Sequence, residues 1–121
     1  NAHNADPEGV RIYFGDGRVE ESEVAGVDVD GDLIVLATPT GDVVPVRWGA
    51  GDDLALGTPV VAMANPGGRG LRATLGFVSA TGRLFRGPRG RRIEGAVEHT
   101  APLPPGSSGG PLFDLAGCVV G

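Results

Sequence analysis

Apolar and polar positions along this chain fall into short runs rather than long stripes. VRIYF (10–14), VAGVDV (24–29), LIVLA (33–37), VVPVRW (43–48), PVVAMA (59–64), ATLGFVSA (73–80), IEGAVEH (93–99) and CVV (118–120) are of strand length. Between them lie GDG, DGD, TPTGD, NPGGRG, FRGPRG and PLPPGSSGG, the chemistry of turns and loops. No window of helical length carries a 3.6-residue apolar stripe, and no repeat of solenoid type occurs. The pattern predicts an all-β chain, mostly antiparallel. WGAGDDLALGTP (48–59) separates two groups of predicted strands and reads either as a hinge between two lobes or as a long hairpin loop.

Composition narrows the picture. A chain of 121 residues is ordinarily one domain, and its 22 glycines and 10 prolines agree with many turns. Ten basic against fifteen acidic residues give a net charge of −5, which disfavours nucleic acid as a partner because the phosphate field opposes it. Every basic residue is arginine, which reads as compositional bias of the genome. Cys118 is the sole cysteine, so an internal disulfide is impossible, and its neighbours Val119 and Val120 predict a buried thiol. No apolar run approaches the ~20 residues of a membrane-spanning helix. No His/Cys cluster has metal-ligand spacing, so neither a catalytic metal nor another cofactor is expected.

The chemistry concentrates near the end, in PLPPGSSGGPLFDLAGCVVG (102–121). Gly106-Ser107-Ser108-Gly109-Gly110 fits G-x-S-x-G, but Pro111 and a strand-like run follow it and both histidines lie upstream, which excludes the strand–turn–helix elbow of α/β-hydrolases. As G-x-S-G-G-P the same residues suit an acyl-transfer nucleophile. Gly106 and Ser108 can supply backbone N–H groups to a developing oxyanion, while Gly109 and Gly110 permit a sharp turn. Ser108 is then the reactive hydroxyl and Ser107 a polar spacer. The alternative, a flexible glycine-serine linker, fits poorly with the apolar residues on both sides.

A serine hydroxyl needs an oriented base. His3 and His99 are the two candidates, and each also reads blandly, as a solvated terminal residue and a partly exposed strand residue. Among the acids, Asp28, Asp30 and Asp32 alternate in GVDVDGDLIVLA. Asp32 stands at the mouth of an apolar run, where it can be sheltered enough to orient an imidazole while keeping its charge. Asp28 and Asp30 read as a solvated turn.

The blocks NAH (1–3), GVDVDGDLIVLA (26–37), LGTPVVAMANPGG (56–68), TLGFVSATGR (74–83) and PPGSSGGPLFDLAGCVVG (104–121) together resemble the trypsin-like serine proteases of the HtrA/Deg type. The resemblance spans almost the whole chain and keeps the order His, Asp, Ser. It implies a double β-barrel, with residues 1–48 in the first barrel, 49–55 a linker and 56–121 in the second. It implies a serine endopeptidase in which His3 is the base, Asp32 its orienting acid, Ser108 the nucleophile, and Gly106 and Ser108 the oxyanion hole. A non-catalytic binding module on the same fold is the competing reading. Asn4 departs from the apolar residue usual in the family after the histidine. The resemblance further implies a chain incomplete at both ends and therefore weakened, polypeptide substrates, an extracytoplasmic location, and compatibility with a membrane tether, a PDZ domain or an oligomer.

Specificity is legible only by exclusion. Pro102 stands six residues before Ser108, where relatives that cleave after basic residues carry an acid, and no acid occurs from His99 to Ser107. Small or apolar substrate side chains are therefore expected. Arg83, Arg86, Arg89, Arg91 and Arg92 fall in GRLFRGPRGRR, which predicts an exposed loop, either solvated or facing an anionic partner. NPGGRG lacks the Gly-Lys-Ser/Thr ending of a phosphate loop and is expected to be a surface turn.

Overall fold

The computed structural model describes residues 9–49, 54–86 and 92–121. His3, the centre of WGAGDDLALGTP and the tip of the arginine-rich segment lie outside the described residues. The chain divides into two compact units, Asn1–Val44 and Pro45–Gly121.

In the first unit, β1 (Val10–Tyr13), β2 (Val19–Asp28) and β3 (Leu33–Ala37) form an antiparallel sheet in that order. Strand β2 begins earlier than the apolar pattern suggests, because VEESE sends Val19, Glu21 and Glu23 outward and Glu20 and Ser22 inward, and such an alternating segment is a strand with one wet face. Ser22 is buried there and shares a 2.5 Å hydrogen bond with the Thr38 hydroxyl. The β1–β2 turn is fixed by Asp16, which accepts from the Arg18 backbone N–H at 2.9 Å and from Arg18 Nε at 2.7 Å. The guanidinium then lies 4.6 Å from the centre of the Phe14 ring and donates to Thr40 O at 3.2 Å.

The second unit is a six-stranded sheet, β4 (Arg47–Trp48), β5 (Pro59–Ala64), β6 (Arg72–Arg86), β7 (Arg92–His99), β8 (Leu112–Asp114) and β9 (Cys118–Val119), ordered β4-β9-β8-β5-β6-β7. The expected VVPVRW strand is reduced to Arg47–Trp48. LFD, in the strand-like run expected after Pro111, is β8, closed onto β9 by a turn in which Asp114 Oδ1 accepts from the Ala116 and Cys118 N–H groups at 2.9 and 2.8 Å. Arg83 and Arg86 belong to β6 rather than to a loop, and Arg83 pairs with Glu98 across the ladder at 3.2 Å. Register shifts along β6 let this long strand bend while it stays paired with β7. Cys118 is free and half-buried.

Val60, Ala62, Val78, Ala101 and Leu112 form the core of this unit, with Leu54, Val97 and Val120 packed against it. Two of these, Ala101 and Leu112, flank the segment 102–111. Gly76 has no side chain because the Ala101 backbone passes where its Cβ would stand. The glycine-serine segment is therefore a loop pinned at both ends in the core. The all-β class expected from the sequence is the one observed.

Candidate active site

The loop from Thr100 to Pro111 is held by hydrogen bonds at every stage. Phe77 N–H donates to Thr100 Oγ1 at 2.9 Å, Thr100 N–H to Phe77 O at 3.0 Å, and Thr74 Oγ1 to Pro102 O at 2.8 Å. Beyond the tip, Met63 N–H donates to Pro111 O at 3.0 Å. The tip itself turns on Gly106 (φ 88) and Gly109 (φ 87), values that residues with a Cβ rarely adopt. Gly110 has a different necessity: a Cβ there would overlap Met63 O.

The two serines separate cleanly. Ser107 is 9% exposed, and its hydroxyl donates to Pro104 O at 2.6 Å. Ser108 is exposed and lines two adjoining concavities. One is walled by Met63, Ala64, Asn65, Leu71 and Phe113, the other by Met63, His99, Leu103 and Leu112. Among the described residues, neither the Gly106 nor the Ser108 N–H donates to a protein acceptor. Both remain available to an oxygen bound in front of the loop.

His99 carries more than its sequence context revealed. It ends β7, shares a concavity with Ser108, and its Nδ1 is sealed from solvent without a hydrogen-bond partner among the described residues. The expected strand histidine is thus a pocket wall. The alternation in IEGAVEH shows that the residue lies on a strand, but not that the 100–111 loop folds back over it. Pro102, at the position where a specificity acid would stand, is exposed.

Asp32 belongs to the first unit. It is half-buried in the turn between β2 and β3 with φ 55, the left-handed conformation that aspartate tolerates better than most residues. Asp28 Oδ1 accepts from the Asp30 and Gly31 N–H groups at 3.0 Å each, so Asp28 caps the turn that presents Asp32. His3 lies outside the described residues.

The sequence matches the trypsin-like peptidase domain family over residues 1–121. It is 38% identical over 104 residues to "Protease Do-like 5, chloroplastic" of Arabidopsis thaliana, covering 84% of this chain and 32% of that protein. It is 36% identical to "Putative serine protease HhoA" of Synechocystis sp., covering all of this chain and 32% of the relative. Among solved structures, the HtrA-type protease AlgW with a decapeptide superposes with a TM-score of 0.83 at 33% identity, covering 98% of this chain and 35% of that one. Deg5 superposes with a TM-score of 0.77 at 34% identity, covering 93% of this chain and 56% of that one. The chain spans about a third of the length of these curated relatives. With a family match along its whole length and relatives named as proteases of this kind, the chain belongs to the trypsin-like peptidase family, among the serine proteases of the HtrA/Deg type.

Proposed function

We propose that this chain carries the catalytic centre of a serine endopeptidase, with Ser108 as nucleophile, His3 as general base and Asp32 orienting the imidazole. In the first half-reaction Ser108 Oγ attacks the peptide carbonyl carbon while His3 takes the hydroxyl proton. The carbonyl oxygen becomes an oxyanion received by the N–H groups of Gly106 and Ser108. The C–N bond then breaks, the amine leaves with the proton from His3, and an acyl ester remains on Ser108. Water attacks that ester by the same route and frees the acid and the serine.

The observation that carries the reading is the sorting of the two serines, Ser107 tied inward and Ser108 exposed beside two N–H groups with no protein acceptor among the described residues. Polypeptides are the substrate class of relatives such as AlgW, which has been solved with a decapeptide. Small or apolar side chains suit the site, since the walls beside Ser108 are Met63, Leu103 and Leu112 and no acid occurs between His99 and Ser107. An extracytoplasmic location is proposed from relatives named as periplasmic and chloroplastic.

Fluorophosphonate labelling of the chain and its Ser108→Ala variant, read by intact mass and peptide mapping, tests the assignment. A single adduct on Ser108 supports an assembled catalytic centre. An intact, folded chain that binds peptide yet takes no adduct would favour the non-catalytic binding module instead.

A further inference from the structure

Charge is distributed unevenly between the two units. Residues 1–44 hold two arginines against ten acids, whereas residues 45–121 hold eight arginines against five. From Leu54 to Ile93 there is no acid at all. The unit that bears Ser108 is therefore basic in an acidic chain, and two of its guanidinium groups stand next to the serine loop.

Those groups are Arg69 and Arg72. They line one concavity together with Pro66, Gly67, Pro104 and Pro105. The segment that carries them abuts the serine loop directly: a Cβ on Gly106 would lie 3.5 Å from Pro66 Cβ and 3.8 Å from Gly67 N. Its shape is set by a 3₁₀ turn at Pro66–Gly68, by glycines at φ 66, 67 and 110, and by Asn65 Oδ1, which accepts from the Gly70 N–H at 2.9 Å. A Cβ on Gly67 would be 3.9 Å from Arg69 Nε, so this guanidinium folds back over the turn toward the concavity.

Elsewhere in the same unit, Arg47 donates to Ala116 O at 2.9 Å and Arg83 pairs with Glu98. The guanidinium groups of Arg69 and Arg72 have no ion pair or hydrogen bond among the described residues. Two guanidinium groups in one recess, without a counter-charge among the described residues and with Pro and Gly walls that supply no competing acceptor side chain, match a carboxylate.

We propose that Arg69 and Arg72 form a subsite for an acidic side chain of the polypeptide, close to the bond attacked by Ser108. The substrate role rests on the protease reading above; the carboxylate site itself does not. Pro105 precedes Ser108 by three residues, which span at most about 10 Å, so the acid lies within about three residues of that bond. Exposed ion pairs are individually weak and screened by salt. Two arginines acting on one carboxylate then give roughly a 3- to 10-fold preference at low salt.

The test is equilibrium binding of fluorescent decapeptides to the Ser108→Ala chain, which cannot turn them over. Each peptide has a central apolar residue and a Glu or Gln at one to three positions on either side of it. The Glu peptide of the correct register is expected to bind 3- to 10-fold more tightly than its Gln twin. That margin should vanish in Arg69→Gln/Arg72→Gln and in high salt, and persist in Arg83→Gln. Equal binding of the twins, a preference that survives in Arg69→Gln/Arg72→Gln, or no binding of any peptide overturns the subsite. If the Glu preference is present but Ser108 of the unsubstituted chain takes no fluorophosphonate, the carboxylate site stands and the protease reading falls.

Discussion

Ser107 Oγ donates a 2.6 Å hydrogen bond to Pro104 O, and the Ser107 N–H reaches the same carbonyl at 3.2 Å. One acceptor thereby holds the first of two adjacent serines inward and leaves the second outside. The carbonyl keeps its backbone donor when the hydroxyl is removed, so Ser107→Ala should cost only about 1 kcal/mol in urea unfolding. Fluorophosphonate labelling should slow several-fold, because the turn that aims Ser108 loses a tie. Ser108→Ala should change stability by no more than about 0.5 kcal/mol while abolishing labelling, as expected for an exposed side chain. The reverse pattern would make Ser107 the nucleophile.

His99 offers a separation of roles. Its Nδ1 is buried without a partner among the described residues, a condition that costs stability, so His99→Leu should leave stability within about 1 kcal/mol or raise it. With His3 as the base, this variant keeps labelling at Ser108 and alters only which peptides bind. Loss of labelling in a folded His99→Leu chain would move the base to His99.

Gly110 and Gly76 are required for space. A Cβ on Gly110 meets Met63 O and one on Gly76 meets the Ala101 backbone, and neither obstacle is the flexible end of a side chain. Each alanine variant should lose roughly 1–3 kcal/mol in urea unfolding. Gly57→Ala meets nothing within 4 Å, so its cost should come from its φ of 80 alone and remain about 1 kcal/mol. Equal losses at all three positions would refute the close-approach account.

The sequence made the strands legible where apolar runs met turn residues, as in LIVLA and PVVAMA, because burial of one face leaves a repeating trace. It hid β2's start, where VEESE carries charge on its wet face, whereas β8 is the strand-like run that follows Pro111. The sharp turn at Gly106 and Gly109 was legible because positive φ angles demand glycine at fixed offsets. The concavity that His99 shares with Ser108, and the one that Arg69 shares with Pro104 and Pro105, were not, since both depend on loops folding across the sheet and neither loop carries a periodic signal. The inward role of Ser107 was hidden for the same reason: its partner is a backbone carbonyl, which every sequence contains.

Asp16 gives a local pH dependence. The Arg18 side chain, hydrogen-bonded to the carboxylate, holds this carboxyl below the ordinary value of 3.8. A group whose folded pKa lies below its unfolded value stabilises above the unfolded value and loses that contribution as pH falls through the folded one. The β1–β2 turn should therefore loosen only below about pH 4. Carboxyl-detected NMR titration should show Asp16 returning to the ordinary range in Arg18→Gln, and an unchanged midpoint would dismiss the pairing.

Asp32 combines a backbone demand with a chemical one, and substitutions can part them. Its φ of 55 suits Gly, Asn and Asp, while a β-branched residue there costs roughly 1–2 kcal/mol. Asp32→Asn and Asp32→Gly should accordingly fold with stability close to that of the parent chain, and Asp32→Val should not. If the carboxylate orients His3, both well-folded variants should still lose reaction at Ser108, Asp32→Asn by a factor on the order of 10⁴ because the amide favours the wrong imidazole tautomer. Labelling that tracks stability across the three variants, rather than the presence of the carboxylate, would reduce Asp32 to a turn residue and return the search for the acid to the rest of the chain.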